Sequence, residues 1–404
     1  MQNKNKYIKI IKEVLQKLKK NNFYLGMLSG IVLFFLMSIF FTNNIFAFKL
    51  SSLSPNFKVN QILSILDKYY VDQYSKEMAE DEMYYGLVNS LGDPYTSYMD
   101  KKTFSSFMEQ TEGSYVGIGT VISIDKDDKL VVVSPYENSP AAKAGILPGD
   151  KIISVDNIEA SKNNYEEIIS KLKGNEGTKV KIKILRPSNN KTLELDVVRE
   201  KIDIPTVSHK IFNNNIGYIR ITNFDRNTYD QFKQAYNSIS QKKLKGLIID
   251  LRNNPGGLLE SVVQIADEIV PKSCIVYTQD KAGNKKYAYA DDKYIDLPLA
   301  ILVNGNSASA SEVLSGAVKD LKRGVLVGEK TFGKGLVQNL FPLKDGSAVK
   351  VTIAKYYTPA GICINGKGIE PDYKVEMPDD LSAKISYLNL DEDLQLQKAI
   401  EILS

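Results

Sequence analysis

The pattern of hydrophobic and polar positions changes several times along this 404-residue chain. No residue is charged from Tyr24 to Phe48, and this stretch is long enough to span a bilayer. The segment before it, residues 1–23, is rich in lysine, which predicts that it stays in the cytoplasm while the rest of the chain lies outside. The pattern therefore predicts a transmembrane anchor over residues 24–48. A cleaved signal peptide is the alternative, although Ile45-Phe46-Ala47 is a poor cleavage site.

Residues 57–110 carry apolar side chains at helical spacing, for example at Ile62, Leu66 and Tyr69. Gly92-Asp93-Pro94 ends this run, because glycine and proline break helices. We expect a small helical amino-terminal domain whose apolar faces form a core or a self-association surface.

Between residues 112 and 200 the pattern changes to short strands separated by turns. The predicted strands are Tyr115 to Ile124, Leu130 to Ser134, Lys151 to Val155, Lys179 to Arg186 and Thr192 to Val198, and the predicted helix is Asn163 to Lys173. Within this region the sequence SPAAKAGILPGDKIISV, residues 139–155, resembles the signature of PDZ domains. In PDZ domains a peptide adds as an extra strand, and backbone N–H groups of a glycine-containing loop bind its terminal carboxylate. The resemblance implies that this loop is Tyr115-Val116-Gly117-Ile118-Gly119.

Strands and helices alternate from residue 201 to about residue 375, which predicts an α/β core. The predicted strands are Gly217 to Ile221, Gly246 to Arg252, Leu299 to Val303 and Gly324 to Gly328, and the predicted helices are Tyr229 to Ser240, Leu258 to Ile269 and Ser311 to Leu321. For the remaining residues, 376–404, the sequence predicts a polar helical extension.

Charge and rare residue types exclude several functions. The net charge is +4, but the first 20 residues contribute +6, so the remaining 384 residues sum to −2 and offer no general surface for nucleic acid. Cys274, Cys363 and the single histidine, His209, lack the spacing of a metal site. We expect no metal and no cofactor. A Ser/His/Asp hydrolase would have to use His209, which lies in a strand-like stretch, so lysine is the better base for any serine nucleophile.

Three serines, Ser307, Ser309 and Ser311, lie at the turn from a predicted strand into the start of a predicted helix. Such a turn suits a nucleophile, because the amino terminus of a helix offers free N–H groups and a positive field to an oxyanion. Helix capping is the other interpretation, since Ser309-x-x-Glu312 fits a capping box. The residues alone do not choose among the three serines.

A second loop, Asn253-Asn254-Pro255-Gly256-Gly257, follows a predicted strand. Its paired glycines allow backbone N–H groups to approach a ligand closely. We interpret it as a candidate oxyanion hole, in which Gly256 or Gly257 donates alongside the amide of Ala310. An ordinary glycine turn is the alternative.

Lys334 lies in the sequence GEKTFGKG, residues 328–335, which nearly matches the P-loop of NTPases. Gly335 stands where Ser or Thr would hold magnesium, and residues 336–340 predict a strand rather than the required helix. A buried Lys334 can instead accept a serine proton, provided that burial or cationic neighbours lower its pKa from about 10.4 to about 7.5. Gln338 shares a face with Lys334 and is the candidate that orients the amine. A solvated loop lysine is the alternative.

Several segments together resemble the carboxyl-terminal processing proteases, the S41 peptidase family. They are SASASE (307–312), TFGKG (331–335), LRNNPGG (251–257), YYTPAG (356–361) and GIEPD (368–372). The resemblance spans about residues 57–372 and implies Ser309 as nucleophile, 25 residues before the general base Lys334, with Gln338 as the orienting partner. It also implies a core related to the crotonase fold and is compatible with homodimers built through the terminal helical segments. Ile362-Cys363 departs from the polar residues expected at that place.

These inferences predict a membrane-anchored, extracytoplasmic serine endopeptidase. Its PDZ domain would capture the apolar carboxyl termini of protein substrates, and the Ser309/Lys334 site would cleave them through an acyl-enzyme. We also expect the PDZ domain to act as a lid. The alternative is a catalytically silent PDZ scaffold at the membrane.

Overall fold

The described part of the computed structural model comprises residues 55–212, 215–378, 381, 384–385 and 388–404, together with eight scattered positions between residues 9 and 31. Two compact units divide the chain, Met1–Glu80 and Asp81–Ser404. The predicted membrane anchor, residues 24–48, lies outside the described residues except at three positions. Within the described residues, no helix combines the length and the apolar character that a membrane crossing requires.

The first unit contains helix α1 (Pro55–Tyr69) and the beginning of helix α2 (Lys76–Asn89). Asp67, near the end of α1, accepts hydrogen bonds from Tyr74 Oη at 2.7 Å and from Lys76 Nζ at 2.6 Å. These two hydrogen bonds join the end of α1 to the connecting segment and to the start of α2. Large apolar side chains on α1 remain exposed within this unit.

In the second unit, the segment predicted to belong to a small helical domain, residues 57–110, also contains a short strand. Strand β1 (Ser97–Met99) and helix α3 (Lys101–Glu112) follow α2. β1 pairs antiparallel with residues 348–350, and Tyr98 and Met99 are each 5% exposed. Pairing with a distant strand therefore overrides the local helical pattern here. The helix does end before Gly92, as predicted.

The PDZ region forms two small antiparallel sheets. The larger sheet contains β3 (Thr120–Ile124), β4 (Leu130–Pro135), β5 (Lys151–Val155), β6 (Ile158–Glu159), β7 (Lys179–Arg186) and β8 (Lys191–Val198), and the smaller one contains β2 (Ser114–Gly117) and β9 (Glu200–Asp203). Helices α4 (Pro140–Lys143) and α5 (Tyr165–Leu172) accompany them. The predicted strand Tyr115 to Ile124 is two strands in different sheets, because Gly119 takes a φ of 74° between them. β3 is an edge strand of its sheet.

The α/β core is built on a six-stranded sheet with the order β10-β11-β12-β15-β16-β19. The strands are β10 (Val207–Phe212), β11 (Ile216–Ile221), β12 (Gly246–Asp250), β15 (Leu299–Val303), β16 (Val325–Gly328) and β19 (Tyr373–Lys374), and the helices are α6 (Thr228–Ser240), α7 (Leu259–Asp267), α8 (Ala310–Asp320) and α9 (Leu394–Leu403). Only the β10–β11 pair is antiparallel in this sheet. Every residue of β11, β12 and β15 is buried, as expected for parallel strands covered on both faces.

A second, antiparallel sheet lies beside the core. It contains β1, β13 (Cys274–Asp280), β14 (Lys285–Tyr289), β17 (Leu336–Pro342) and β18 (Ala348–Tyr357). β17 begins two residues after Lys334, so the predicted strand rather than a P-loop helix follows this lysine. Both cysteines, Cys274 and Cys363, are free.

The carboxyl-terminal helix α9 corrects the prediction of a polar extension. Leu396, Ala399 and Leu403 recur on one helical face and are buried against the apolar side chains of the six-stranded sheet. The helix is therefore part of the α/β core.

Candidate active site

Ser309 is the residue immediately before α8, at the turn that leads from β15 into the helix. Its φ of 54° lies in the left-handed region, which costs about 1–3 kcal/mol for a residue with a side chain. Such strain persists only where the surroundings impose it, and it is common at active sites. The turn is held by Glu312, whose Oε2 accepts the Ser309 N–H at 2.8 Å.

The hydroxyls of the three neighbouring serines have different surroundings. Ser307 Oγ donates to the Leu251 carbonyl at 2.8 Å, and Ser311 Oγ donates to the Asn254 carbonyl at 3.0 Å. Both of these serines are fully buried, whereas Ser309 is partly exposed. Ser309 is thus the one of these three serines that is not buried.

Glu312 connects the turn of Ser309 to the loop of Lys334. Its carboxylate is fully buried and takes four hydrogen bonds. Oε2 accepts from the N–H groups of Ser309 and Lys334, both at 2.8 Å, and Oε1 accepts from Thr331 Oγ1 at 2.6 Å and Gly333 N–H at 2.7 Å. A single side chain therefore fixes the backbone of both segments. The sequence indicated only a helix-capping role for Glu312. Its hydrogen bonds to the loop of Lys334 could not be predicted from the sequence.

Lys334 lies in the loop between β16 and β17 and is half-buried. Burial lowers the pKa of its amine, and the nearby Lys350 ammonium lowers it further, whereas Asp93 and Glu312 act in the opposite direction. The structure thus supplies both conditions that a lysine base needs, burial and a cationic neighbour. Within the described residues the amine has no hydrogen-bond or ion-pair partner, and its Nζ lies 4.6 Å from the centroid of the Tyr95 ring.

Gln338 lies on β17, after a register shift between Val337 and Gln338. Its Nε2 donates to Thr352 Oγ1 at 3.4 Å. In the described part of the chain no hydrogen bond joins it to Lys334. An orienting role for Gln338 therefore stays a prediction.

The two predicted glycine donors differ in availability. Gly256 N–H donates to Asn254 Oδ1 at 2.8 Å, so this amide is already occupied within its own loop. Among the described residues, the N–H groups of Gly257 and Ala310 have no acceptor. A Cβ on Gly256 would lie 2.8 Å from the Ala308 carbonyl oxygen and 2.9 Å from the Ala310 nitrogen, so only glycine allows the loop to approach this turn. Gly257 and Ala310 are the available pair for an oxyanion.

A cavity of about 440 Å³ brings several of these groups together. Its lining includes Ser309, Ala310, Lys334, Gln338, Gly257, Lys350, Tyr356, Asp225 and the apolar side chains of Phe107, Leu258, Val313, Leu336 and Leu340. A nucleophile, a lysine and free N–H groups beside an apolar wall suit the cleavage of a peptide bond. The described residues contain no group of three His, Cys, Asp or Glu side chains that could hold a metal ion.

Tyr356 and Asp225 also line this cavity and were not predicted from the sequence. The Tyr356 hydroxyl donates to the Lys334 carbonyl, and burial raises the tyrosine pKa well above its usual value. Burial also raises the pKa of Asp225 to about 6, although a hydrogen bond from Asn223 opposes this. Asp225 belongs to none of the motifs found in the sequence. Tyr356 begins the segment YYTPAG, but that segment does not reveal the contact with Lys334, which lies 22 residues earlier.

The loop that carries Gly257 is anchored at its root by Arg252. This guanidinium is 1% exposed and binds Asp250 from the same strand end and Asp393 from the start of α9, with nitrogen–oxygen distances of 2.7 to 3.0 Å. Burial would raise the pKa of Asp250, but the adjacent Arg252 charge outweighs it and the pKa is lowered. The carboxyl-terminal helix thus supports the candidate oxyanion loop.

The predicted peptide-binding loop of the PDZ domain leads into the edge strand β3. Tyr115, Val116 and Gly117 belong to β2, Ile118 is buried in the PDZ core, and Gly119 follows with its positive φ. A Cβ on Gly119 would lie 2.5 Å from Ser139 Cβ, so the loop is closely packed there. Burial raises the pKa of Tyr115 to about 12.

His209 lies on β10, exposed, with Nε2 2.8 Å from Ser238 Oγ. It is absent from the lining of the cavity. A histidine-based mechanism at Ser309 has no support.

Two family models and several known proteins are similar to this chain. Peptidase family S41 matches residues 215–375, and a PDZ domain matches residues 131–186. The carboxy-terminal processing protease CtpB of Bacillus subtilis is 35% identical over 331 residues, covering 81% of this chain and 69% of that protein. The carboxyl-terminal-processing protease of Synechocystis is 36% identical over 326 residues, covering 79% and 75% of the two chains. The solved structure of a photosystem II D1 C-terminal processing protease is 33% identical, covers 85% of this chain and 94% of its own, and has a TM-score of 0.47.

The extent of these matches favours a peptidase over the alternative of a silent scaffold. The relatives are proteases at more than 30% identity, and this chain covers more than two thirds of each. The fold is a mixed α/β protease core with a PDZ domain. The chain belongs to the carboxy-terminal processing proteases of peptidase family S41 and is a serine-type peptidase.

Proposed function

We propose that this peptidase is an extracytoplasmic endopeptidase in which Ser309 is the nucleophile and Lys334 the general base. The observation that carries the proposal is their common anchor. Glu312 accepts hydrogen bonds from the backbone N–H groups of both residues, and both side chains line one cavity. One buried side chain, which takes no part in the proposed chemistry, thus fixes the backbone of both the proposed nucleophile and the proposed base.

In the proposed mechanism the neutral Lys334 amine accepts the hydroxyl proton of Ser309 as Oγ attacks the scissile carbonyl carbon. The N–H groups of Gly257 and Ala310 stabilise the oxyanion. When the C–N bond breaks, Lys334 gives its proton to the leaving amine, and the acyl group stays on Ser309. A water molecule then attacks the ester carbon while the same lysine accepts a proton from it, and Lys334 returns this proton to Ser309 Oγ as the acyl C–O bond breaks. Gln338 orients the amine from the same cavity.

The substrate in this proposal is a protein with an apolar carboxyl terminus. Its last residues add as a strand to the free edge of β3, and its carboxylate is bound by the loop Tyr115-Val116-Gly117-Ile118-Gly119. The edge position of β3 and the apolar PDZ core beside it support this mode of binding. The relatives' description as carboxy-terminal processing proteases agrees with it. Peptide binding is coupled to opening of the cavity, with the PDZ domain as the lid.

The amino-terminal segment supports the proposed location. Seven lysines in the first 20 residues precede the uncharged stretch of residues 24–48. This arrangement favours a membrane anchor with the protease outside the cytoplasm.

Cleavage of an unfolded protein by the full-length chain tests the catalytic assignment. Ser309→Ala should abolish cleavage, and Lys334→Ala should lower kcat by about 1,000-fold, because the serine hydroxyl then lacks a base. Lys330→Ala and Ser240→Ala, both outside the cavity, are the matched controls and should cleave normally. Full activity of Lys334→Ala would contradict the assignment.

The PDZ assignment is tested with one apolar peptide in two forms. The form with a free carboxylate should bind at least about tenfold more tightly than its carboxyl-terminal amide, since the amide loses the charge-assisted hydrogen bonds of the loop. Fluorescence anisotropy of labelled peptides measures this ratio. Equal affinities would contradict carboxylate recognition.

A further inference from the structure

The amine of Lys334 lies against the aromatic ring of Tyr95, a residue that belongs to none of the catalytic motifs found in the sequence. Its Nζ is 4.6 Å from the centroid of Tyr95, a distance at which the face of a ring attracts a cation. In the described residues no hydrogen bond joins Lys334 Nζ to Ser309 Oγ. The amine is therefore paired with Tyr95 rather than with the nucleophile in this structure.

Tyr95 is held in place by a fixed turn. Asp93 Oδ1 accepts the Tyr95 N–H at 3.0 Å, and Asp93 Oδ2 accepts the Thr96 hydroxyl at 2.6 Å. The Thr96 oxygen in turn accepts the Thr352 N–H of β18 at 3.0 Å, and Thr96 is 4% exposed. β1 then pairs with β18 directly after this turn. The ring is thus anchored to the same sheet that carries the wall of the cavity.

The groups around the amine act on its proton in opposite directions. Burial and the Lys350 ammonium on β18 favour the neutral form, whereas the carboxylates of Asp93 and Glu312 favour the ammonium. The Tyr95 ring adds to the second group, because a π-face attracts the charged form only. A base must be neutral to accept a proton, so the contact with Tyr95 opposes catalysis.

We propose that Tyr95 is a positioning residue that holds the protonated Lys334 in the resting enzyme and releases the amine toward Ser309 when the proton is lost. The ammonium gives this proton to water, and the neutral amine then accepts the hydroxyl proton of Ser309. This inference rests on the proposed role of Lys334 as the base. It assigns the amino-terminal turn of residues 93–96 a part in controlling the reaction.

The direct test measures the proton affinity of Lys334 without using activity. In full-length Ser309→Ala, competitive acetylation with acetic anhydride at a series of pH values gives the titration midpoint of the Lys334 amine by peptide mass spectrometry. Adding Tyr95→Leu, which keeps apolar bulk without a π-face, should lower this midpoint by about 0.5 to 1 pH unit. Adding Tyr95→Phe, which keeps the ring, should leave it unchanged. Lys285 and Lys355, which are exposed, serve as internal references in the same digests.

An unchanged or raised midpoint in Tyr95→Leu, or an equal fall in Tyr95→Phe, would overturn the proposal. Should Tyr95→Leu not fold, Tyr95→Met is the second replacement without a ring and must give the same fall. The same substitutions in the active chain should move the acid limb of kcat/KM in the same direction. Activity in Lys334→Ala would remove the base assignment, whereas the acetylation midpoints report on Tyr95 independently of it.

Discussion

Two parts of the active site differ in how they are held: a buried frame is fixed by hydrogen bonds, whereas, within the described part of the chain, the Lys334 amine is not. By the frame we mean Glu312, Arg252, Asp393 and Tyr356, which are buried and hydrogen-bonded to the segments that carry the site. In the described residues, the Lys334 amine contacts an aromatic ring and has no hydrogen-bond partner.

This difference separates two kinds of control. The frame fixes backbone positions before a substrate arrives, which lowers the cost of organising the transition state. The amine keeps the freedom to change its proton and its partner. Substitutions in the frame should therefore reduce both stability and activity, whereas substitutions around the amine should change the pH dependence.

The largest effect is expected for Asp393→Ala. It leaves the buried Arg252 charge without one of its two carboxylates, which should lower the free energy of unfolding by about 3–5 kcal/mol. Urea denaturation of the full-length chain measures this loss. Glu401→Gln breaks the exposed pair with Lys398 on the same helix and should cost no more than about 0.5 kcal/mol. Equal losses in the two variants would show that the frame is no more important than the surface.

Glu312→Gln should have the next largest effect. The amide group in place of one carboxylate oxygen faces N–H donors and loses up to two of the four hydrogen bonds, which should cost about 2–4 kcal/mol of stability. Because the turn of Ser309 and the loop of Lys334 lose their common anchor, kcat should fall by about 100-fold. Glu370→Gln, on an exposed pair with Lys330, is the control. A stable Glu312→Gln enzyme with unchanged kcat would rule out the anchor.

A smaller effect is expected for Tyr356→Phe. The substitution removes only the hydroxyl that donates to the Lys334 carbonyl, so about 1 kcal/mol of stability and a two- to tenfold loss of kcat should follow. Tyr357→Phe, at the neighbouring position of β18, tests whether the effect belongs to this hydroxyl. An equal loss of activity in Tyr356→Phe and Tyr357→Phe would contradict the role assigned to the Tyr356 hydroxyl.

The smallest effect is expected for Lys350→Gln, which changes the surroundings of the Lys334 amine. Lys350→Gln removes a positive charge that lowers the pKa of Lys334, so this pKa should rise and the Lys334 acetylation midpoint should move up by about 0.3 to 0.5 pH unit. The direction is opposite to that expected for Tyr95→Leu, and stability should hardly change. Lys355→Gln, exposed on the same strand, should leave the midpoint in place. A downward shift in Lys350→Gln would contradict the assigned charges.

Most elements of the fold were predictable because their patterns are local. The buried strands β11, β12 and β15 are continuous apolar runs, and the strands of the PDZ region alternate with turn residues. β1 was not predicted as a strand, and α9 was predicted as a helix but not as a buried one, because each is stabilised by packing on a partner distant in sequence.

The residues of the active site also differ in whether the local sequence could predict them. Ser309 and Lys334 stand out in the sequence by their turns and by the family resemblance. Tyr95, Asp393 and the second set of Glu312 contacts do not, since each depends on a contact across a long sequence separation, 141 residues for Arg252 and Asp393. Local periodicity carries no information about such pairs.

The central claim is that the proton on Lys334 controls the activity of Ser309. It is tested most directly by two pH titrations, the acetylation midpoint of Lys334 in Ser309→Ala and the acid limb of kcat/KM for the active chain. Because burial and Lys350 lower the pKa of this amine, both midpoints should lie below the ordinary lysine value of about 10.4, and activity should rise as the pH passes through them. We predict that the two midpoints coincide. A difference of more than about one pH unit between them would contradict the account.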